Sequence, residues 1–309
     1  MVALWTENLT KVFGGRAGSR VVAVDGLSLE VREGRAFAFL GPNGAGKTTT
    51  IRMLLGLHRP TAGRGEVLGE PLGSVRAKAK IGFLPEGISP KGYYTTEQML
   101  AYCARLHGLS EREAGLRIDQ VISLTGLEEV RRRRTSQLSK GTVQRLGLAQ
   151  ALVGGPELLI LDEPTANLDP VGRRDVRRLL LEYKKQGKTI FVSSHILSEV
   201  ESVCDDVAIL SRGRLVRQGP LSELASRTEG FEITTRAIPE GTADAVAQAG
   251  GHIETAADGG MVISTADEAT QQRVLALLVG AGLPVLSANK RAATLEDLFF
   301  QALTEERQI

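Results

Sequence analysis

The segment from Gly41 to Thr48, G-P-N-G-A-G-K-T, has the composition of a loop that holds a polyphosphate. Glycines let backbone N–H groups curl around phosphate oxygens, and a following helix N-terminus adds favourable potential. At these positions we expect the Lys47 amine to reach the β- and γ-phosphates and the Thr48 hydroxyl to bind Mg²⁺. A glycine-rich turn without a ligand is the alternative. The positions assigned to the loop are Gly41, Pro42, Asn43, Gly44, Ala45, Gly46, Lys47, Thr48 and Thr49.

Two acidic side chains, Asp162 and Glu163, follow the apolar run Leu158–Leu161. A buried strand here delivers both carboxylates to its carboxyl end, next to the phosphate loop. Asp162 is then placed to hold Mg²⁺ through water, and Glu163 to orient and deprotonate an attacking water. Acidic residues at a strand end also occur for solubility alone, so this prediction depends on the phosphate loop beside it.

The elements that must position these groups alternate between strands and helices, which predicts a mainly parallel sheet covered by helices. Before it, the runs Val21–Val24 and Leu27–Val31 are separated by Asp25-Gly26, which predicts a hairpin turn. The glycine-rich loop precedes a helical pattern over Thr48–Leu57. The strands predicted for the parallel sheet are Ala36–Leu40, Ile81–Leu84, Leu158–Leu161, Thr189–Ser193 and Val207–Leu210.

A helical block interrupts this alternation. Residues 95–107 have the pattern of a helix that ends at Gly108, and Ser110–Glu113 is a capping box that opens a second helix. The chain returns to the sheet at Leu158. We therefore predict an inserted helical subdomain over about residues 87–150.

The end of the chain has its own order of elements. Its predicted strands and helices follow a βαββαβ order, typical of the ferredoxin-like split motif. We predict domains over 1–225 and 230–309, with Leu221–Glu229 as the linker. A final helix is predicted from Thr294, where Thr294 and Asp297 form a capping box. Its apolar stripe is Leu295, Leu298, Phe299, Ala302 and Leu303.

Composition agrees with two globular domains: of 309 residues, 42% are hydrophobic and 24% charged, which excludes a disordered chain. Residues 1–229 hold 33 Lys and Arg against 25 Asp and Glu, a balance of +8, and residues 230–309 hold 5 against 11, a balance of −6. The basic part suits phosphate ligands and is too dilute in charge to indicate nucleic acid. Cys103 and Cys204 are predicted to be reduced, buried thiols. No signal peptide is expected, and the longest uncharged apolar run, Val274–Asn289, is too short for a membrane span.

The pentapeptide Leu138–Thr142, L-S-K-G-T, precedes a helical run and makes a resemblance specific. The chain resembles the ATP-binding-cassette nucleotide-binding domains, in which a phosphate loop, a signature peptide, an Asp-Glu strand and a later histidine occur in this order. The usual signature is Leu-Ser-Gly-Gly-Gln, so Lys140 and Thr142 depart from it. The resemblance implies that Ser139 and Gly141 bind the γ-phosphate of the ATP on an opposite subunit. Ser139 is otherwise an ordinary N-cap.

The resemblance covers about residues 2–225 and implies an α/β fold of the P-loop NTPase class, with a RecA-like core, an antiparallel β subdomain and an inserted α-helical subdomain, followed by a small α+β ferredoxin-like domain. It implies that Phe13 stacks on adenine and that Asp169 lies in the loop linking two sites across a dimer. It also implies that His195 contacts the γ-phosphate. The alternatives are a core or surface aromatic for Phe13 and a structural histidine for His195.

Glu86 departs from the family's pattern, which usually has glutamine after the strand Ile81–Leu84. The glutamine touches Mg²⁺ and the attacking water. A carboxylate at Glu86 could bind Mg²⁺ directly, and it also places a second negative charge beside Glu163, raising the pKa of that residue. The basic run Arg131–Arg134 is expected to be a solvated loop, with contact to lipid headgroups or to an acidic partner loop as the alternative.

Three local sequences resemble the ATPase subunits of exporters of the ABC-2 type: Leu84–Glu86, Leu138–Gly141 and Ala293–Phe299. The resemblance implies an ATPase that binds ATP and Mg²⁺, at the cytoplasmic face of a membrane, on a separate permease and with no nucleic acid partner. An importer motor and a soluble cassette ATPase are the alternatives. Two identical copies, head to tail, are the simplest assembly. For the C-terminal domain, dimerisation is favoured over docking on the cassette.

Overall fold

The computed structural model describes residues 1–14, 20–90, 92–166, 168–226, 229–256, 260–292, 295 and 299. The chain divides into two compact units, one over Met1–Leu221 and one over Ser222–Gln301. Each unit has its own hydrophobic core. Among the residues so described, no helix combines the length and the apolar character needed to cross a bilayer.

The strands of the first unit are β1 (Val2–Gly14), β2 (Arg20–Arg32), β3 (Ala36–Leu40), β4 (Ala62–Val67), β5 (Glu70–Pro71), β6 (Ile81–Leu84), β7 (Leu158–Asp162), β8 (Thr189–Ser194), β9 (Asp206–Ser211) and β10 (Arg214–Pro220). Its helices are α1 (Lys47–Leu54), α2 (Val75–Ala79), α3 (Thr96–Leu106), α4 (Glu111–Thr125), α5 (Lys140–Leu152), α6 (Pro170–Lys185) and α7 (Leu197–Val203).

The central sheet has the strand order β10-β9-β3-β8-β7-β6 and is parallel except for β10. All residues of β3, β7 and β8 are buried, as expected for parallel strands covered on both faces. Phe37 and Phe39 on β3 pack against Phe191 on β8, with ring centroids 5.7 and 5.2 Å apart. The predicted parallel sheet is confirmed, and the carboxyl ends of β3, β7 and β8 share one edge.

A second sheet, antiparallel, has the order β2-β1-β4-β5. The predicted hairpin at Asp25-Gly26 is wrong, because β2 runs through both residues. Gly26 has φ 62° and its N–H donates to the Thr10 hydroxyl, within a stretch where the β1–β2 register shifts. The glycine thus forms an irregularity inside a strand rather than a turn between two strands.

The helices of the inserted block confirm the predictions made from the sequence. Helix α4 begins at the predicted capping box, in which the Ser110 hydroxyl accepts from the Glu113 N–H and the Glu113 carboxylate accepts from the Ser110 N–H. Helix α3 has an equivalent box between Thr95 and Gln98. In the basic run that follows, Arg131 pairs with Glu97 and Asp119, whereas the other three arginines are exposed.

The second unit contains α8 (Leu221–Ser226), β11 (Glu229–Thr235), α9 (Glu240–Gln248), β12 (His252–Thr255), β13 (Met261–Thr265), α10 (Glu268–Gly280) and β14 (Val285–Ala292). Its sheet has the order β12-β13-β11-β14, antiparallel throughout, which is the predicted ferredoxin-like arrangement. The predicted linker is in part a helix, α8. Of the predicted final helix, Thr294, Leu298, Ala302 and Leu303 lie outside the described residues, and Leu295 is buried.

Candidate functional site

The phosphate loop connects β3 to α1 and requires glycine at two positions where its backbone passes close to another strand. A Cβ at Gly46, where φ is 102°, would lie 2.4 Å from the Ala23 carbonyl oxygen on β2. A Cβ at Gly41 would lie 2.6 Å from the Leu210 carbonyl oxygen on β9. Neither distance is sterically possible, so the loop passes between these strands only with glycines in place.

Lys47 is the first residue of α1, and its side chain is buried. The Nζ atom donates to the carbonyl oxygens of Gly41 at 2.6 Å and of Pro42 at 3.3 Å. It also lies 3.8 Å from the Oε1 atom of Glu163. The amine is therefore held inside the loop by the loop's own backbone, next to a carboxylate at the end of β7.

Parallel pairing of β7 with β8 places Asp162 opposite Ser193. The Ser193 hydroxyl donates to the Asp162 Oδ1 atom at 2.5 Å, and the Asp162 side chain is almost fully buried. The Glu163 N–H lies 3.2 Å from both the carbonyl oxygen and the hydroxyl of Ser193. Ser193 thus fixes both acidic residues at the end of β7.

Glu163 has φ 53°, in the left-handed region that a residue other than glycine rarely adopts. The Nδ1 atom of His195 lies 2.7 Å from its Oε2 atom. Burial raises the pKa of the Glu163 carboxyl, while the nearby His195 and Lys47 act against that rise. The structure therefore brings a buried carboxylate, a histidine that is more than half exposed and the phosphate-loop lysine into one cluster.

Lys47 and Glu163 line an open cavity of about 310 Å³, whereas His195 and Asp162 are not among its lining residues. Ala23 on β2 closes one side, and Glu86, just after β6, also lines it. The remaining lining residues are Asn43, Gly44, Ala45, Gly46, Lys47, Thr48, Thr49 and Glu163. Backbone amides, one amine and two carboxylates around such a cavity can bind a polyphosphate and activate a water at its end.

The oxygen donors here fit a hard divalent cation. Thr48, Asp162 and Glu86 are the predicted Mg²⁺ ligands, and Thr48 and Glu86 line this cavity. No ready-made group of three or more His, Cys, Asp or Glu ligands occurs in the part of the chain that the structure describes. Mg²⁺ is usually held by one or two protein ligands together with substrate phosphates.

Ser139 and Gly141 of the signature peptide line a different cavity, of about 570 Å³, together with Asp169. Ser139 is the N-cap of α5, and its hydroxyl accepts from the Thr142 N–H at 3.2 Å. Asp169 caps α6 in the same way, accepting from the Gly172 N–H at 2.7 Å. Ser139, Gly141 and Asp169 are thus brought together, apart from the residues around the phosphate loop.

Phe13 lies near the end of β1 with 38% of its surface exposed. Its ring meets the His58 ring edge to face at 5.6 Å, and the Lys11 Nζ atom lies 5.1 Å from its centroid. Phe13 does not line the phosphate-loop cavity, although its strand partner Val21 is two residues from Ala23, which does.

Sequence reasoning missed two supporting side chains. Ser193 binds both acidic residues, and the amide of Gln144 on α5 donates to the carbonyl oxygens of Glu163 and Pro164. Ser193 could have been found by aligning the ends of the two predicted parallel strands, which sets it opposite Asp162. Gln144 gave no such signal, because its contact depends on how α5 packs.

Comparisons with known proteins agree with this geometry. Residues 24–166 match the family described as ABC transporter. The chain is 41% identical over 235 residues to an uncharacterized ABC transporter ATP-binding protein of Synechocystis, covering 75% of this chain and 66% of that one. It is 41% identical to the bacitracin transport ATP-binding protein of Bacillus licheniformis over 73% of this chain and 72% of that one. It is 34% identical to the linearmycin resistance ATP-binding protein of Bacillus subtilis, over 77% and 76%.

Solved structures give the same result for the fold. An ATP-binding subunit of an ABC transporter superposes with a TM-score of 0.66 at 30% identity, covering 73% of this chain and 92% of that one. An ATP-binding cassette solved with ADP and Pi has the same TM-score at 23% identity, covering 71% of this chain and 98% of that one. The part of this chain that these structures cover is about as long as the first unit, which contains both cavities.

Proposed function

Because the chain belongs to the ABC transporter family, as one of its ATP-binding proteins, we propose that it powers export through a separate membrane permease. The chain is an ATP-hydrolysing transporter subunit. The proposal adds the direction of transport, the assembly and the roles of individual residues. The observation that carries the proposed assembly is the presence on one chain of two separate cavities, one lined by the phosphate loop and the other by Ser139, Gly141 and Asp169.

The division of residues between the cavities supports a head-to-tail pair of identical copies. The phosphate loop, Glu86 and Glu163 line one cavity, and Ser139, Gly141 and Asp169 line the other. In the proposed clamp, each ATP lies between the first cavity of one copy and the second cavity of its partner. Since each chain carries both halves, two copies form two equivalent sites. ATP binding closes the pair and hydrolysis reopens it, because the γ-phosphate favours the closed state.

In the proposed chemistry, the backbone amides of residues 43–49 bind the phosphates, and the Lys47 amine turns from the Gly41 carbonyl to the β- and γ-phosphates. Glu163 accepts the proton of the attacking water, and its burial favours proton uptake. His195 holds Glu163 in place through the Nδ1 contact and faces the γ-phosphate. Mg²⁺, held by Thr48 and Asp162 with Glu86 beside them, would neutralise phosphate charge.

Export is supported by the relatives and by local sequence. Two relatives, at 41% and 34% identity, are named for bacitracin transport and linearmycin resistance, respectively. The local sequences Leu84–Glu86 and Leu138–Gly141 point to the same class, the ABC-2 exporters. In this proposal a permease of that type contacts the substrate, and the chain lies at the cytoplasmic face of the membrane through that permease. The proposed substrate is of the multidrug or antibiotic class, and the names of these two relatives support an antibiotic.

Co-purification tests the direction of transport. An affinity-tagged copy expressed in its native host should capture a permease in detergent, and that pair in vesicles should move substrate away from the side where ATP is hydrolysed. Capture of a permease together with a substrate-binding protein would instead indicate an importer. Capture of ribosomes or DNA would indicate a soluble cassette ATPase and overturn the proposal.

The second unit, we propose, holds two copies together while the clamp is open. It has its own core around Ile233, Val246 and Ile263 and the opposite charge balance to the first unit. Ending the chain near position 228 should leave a first unit that binds ATP and dimerises poorly without it. Light scattering in the absence of nucleotide tests this. A full-length monomer, or a truncated form that dimerises equally well, would favour a docking role instead.

A further inference from the structure

A partly buried carboxylate, that of Glu199, lies on α7. The Thr165 hydroxyl donates to the Oε2 atom of Glu199 at 2.5 Å. The Nε atom of Arg173 lies 3.9 Å from the Oε1 atom of the same carboxylate. That Oε1 atom is shielded from solvent and accepts no hydrogen bond from the described part of the chain. One carboxylate therefore faces a hydroxyl and a guanidinium that belong to two other segments.

Each of these segments carries a residue of the proposed site. Thr165 follows Glu163 by two residues, Glu199 follows His195 by four, and Arg173 follows Asp169 by four. The Arg173 side chain also donates to the Leu168 carbonyl oxygen at 3.2 Å, so it is tied to the turn that contains Asp169. The Glu199 carboxylate is thus the meeting point of the chain segments that carry Glu163, His195 and Asp169.

The segments at this meeting point need external support. Glu163 has an unfavourable positive φ, which persists only where surrounding contacts hold it. Helix α7 has seven residues, too few to be stable without tertiary contacts, and its N-cap Ile196 makes no side-chain capping bond. The His195 side chain is more than half exposed, so its position depends on the backbone that leads into α7. The Thr165–Glu199 bond supplies a direct link between the two segments.

We propose that Glu199 is a positioning residue for ATP hydrolysis, which holds the His195 segment against the Glu163 loop through Thr165 and connects both to the Asp169 turn through Arg173. This inference rests on the proposed roles of Glu163 and His195. Thr165 and Glu199 do not line the phosphate-loop cavity, so their contact acts on the hydrolytic step and leaves nucleotide binding to the loop.

The test compares kcat and KM for ATP in the full-length protein. Glu199→Ala should lower kcat about tenfold and change KM less than about twofold, because only the arrangement of the hydrolytic groups is lost. Glu199→Gln keeps an oxygen that accepts from Thr165, and it should restore kcat to within about threefold of wild type. Glu201→Gln removes the same charge from an exposed position on the same helix and serves as the control.

A double-mutant cycle isolates the contact. Thr165→Val and Glu199→Ala should each lower kcat, and the double variant should be no slower than the slower single variant, because both remove the same bond. Additive losses, an unchanged kcat in Glu199→Ala, or a Glu199→Gln variant as slow as the alanine variant would overturn the inference.

Glu163→Gln in the same assay separates the inference from its premise. A slow Glu163→Gln variant with a normal Glu199→Ala variant refutes the role of Glu199 alone. A normal Glu163→Gln variant refutes the premise. Thermal unfolding of each variant, with assays run well below its midpoint, excludes loss of folded protein as the cause.

Discussion

The two cavities of the first unit are built in different ways. Around the phosphate loop, the side chains of Lys47, Asp162 and Glu163 are buried. Lys47 donates to carbonyl oxygens of the loop, Asp162 accepts from the Ser193 hydroxyl, and Glu163, whose φ is positive, contacts His195. Around the signature peptide, Ser139 and Asp169 are helix N-caps whose side chains bond to the first turn of their own helices. One half of the proposed site is fixed by the sheet edge, and the other by the ends of two helices.

This difference has a consequence for function. A group buried at a sheet edge can be moved only by disrupting the sheet, which suits a residue that must keep the same position through every reaction cycle. A helix N-cap moves with its helix as a rigid body and presents backbone N–H groups to whatever approaches. The first cavity is therefore suited to performing chemistry, and the second to meeting a ligand brought by another surface.

The largest loss of activity should come from a substitution in the phosphate-loop cavity. Glu163→Gln should leave ATP affinity unchanged and lower turnover by about 100-fold or more, since it removes the general base. The variant should also accumulate as an ATP-bound dimer, visible by light scattering when ATP is added. Glu157→Gln, an exposed glutamate that pairs with Lys80, is the matched control. Turnover at the wild-type rate would move the role of base to Glu86.

A second prediction separates steric fit from backbone strain in the phosphate loop. Gly46→Ala places a methyl group 2.4 Å from the Ala23 carbonyl oxygen, whereas Gly44→Ala at φ 82° meets no atom within 4 Å. Gly46→Ala should therefore weaken ATP binding more than tenfold, and Gly44→Ala, whose methyl group meets no protein atom, should weaken it less. Nucleotide titration followed by calorimetry measures both. Equal losses would show that the close approach to Ala23 contributes nothing.

The way in which each functional group is positioned explains which of them the sequence could predict. The phosphate loop, Asp162, Glu163 and His195 all follow apolar strands, and strands buried in a parallel sheet bring their ends to one edge. Their meeting in space follows from fold class alone. The capping box of α4 and the order of elements in the second unit were predictable for a similar reason, since both depend on local patterns.

Contacts between elements distant in sequence could not be predicted in this way. The Gln144 amide reaches the Pro164 carbonyl at 2.9 Å only because α5 packs beside the end of β7. Asp25-Gly26 has the residues of a hairpin turn, and tertiary pairing along β1 made it part of a continuous strand. The position of Phe13 relative to the phosphate loop likewise depends on how the antiparallel sheet lies over the loop.

The third prediction concerns Ser139, which lines the cavity at the signature peptide. Ser139→Ala removes the N-cap of α5 and should cost about 1 kcal/mol of stability, whereas Ser139→Asn retains a capping oxygen and should cost little. If the hydroxyl also contacts the nucleotide of a second copy, both variants should lower kcat by about tenfold despite their different stabilities. Thermal unfolding and steady-state turnover measure the two effects. Full activity of Ser139→Asn would reduce Ser139 to a cap.

The smallest change in activity is expected at Glu86, which lines the phosphate-loop cavity together with Lys47 and Glu163. Glu86→Gln should bind ATP nearly as well as wild type and retain turnover to within about threefold, because Glu163, the proposed base, remains. If the Glu86 carboxylate contacts Mg²⁺ directly, the amide is a weaker ligand and the Mg²⁺ concentration for half-maximal turnover should rise about threefold. Titrating Mg²⁺ at fixed ATP in both proteins measures this. Identical Mg²⁺ curves would argue against direct ligation and leave Glu86 as a residue that tunes the charge of the cavity without holding the ion.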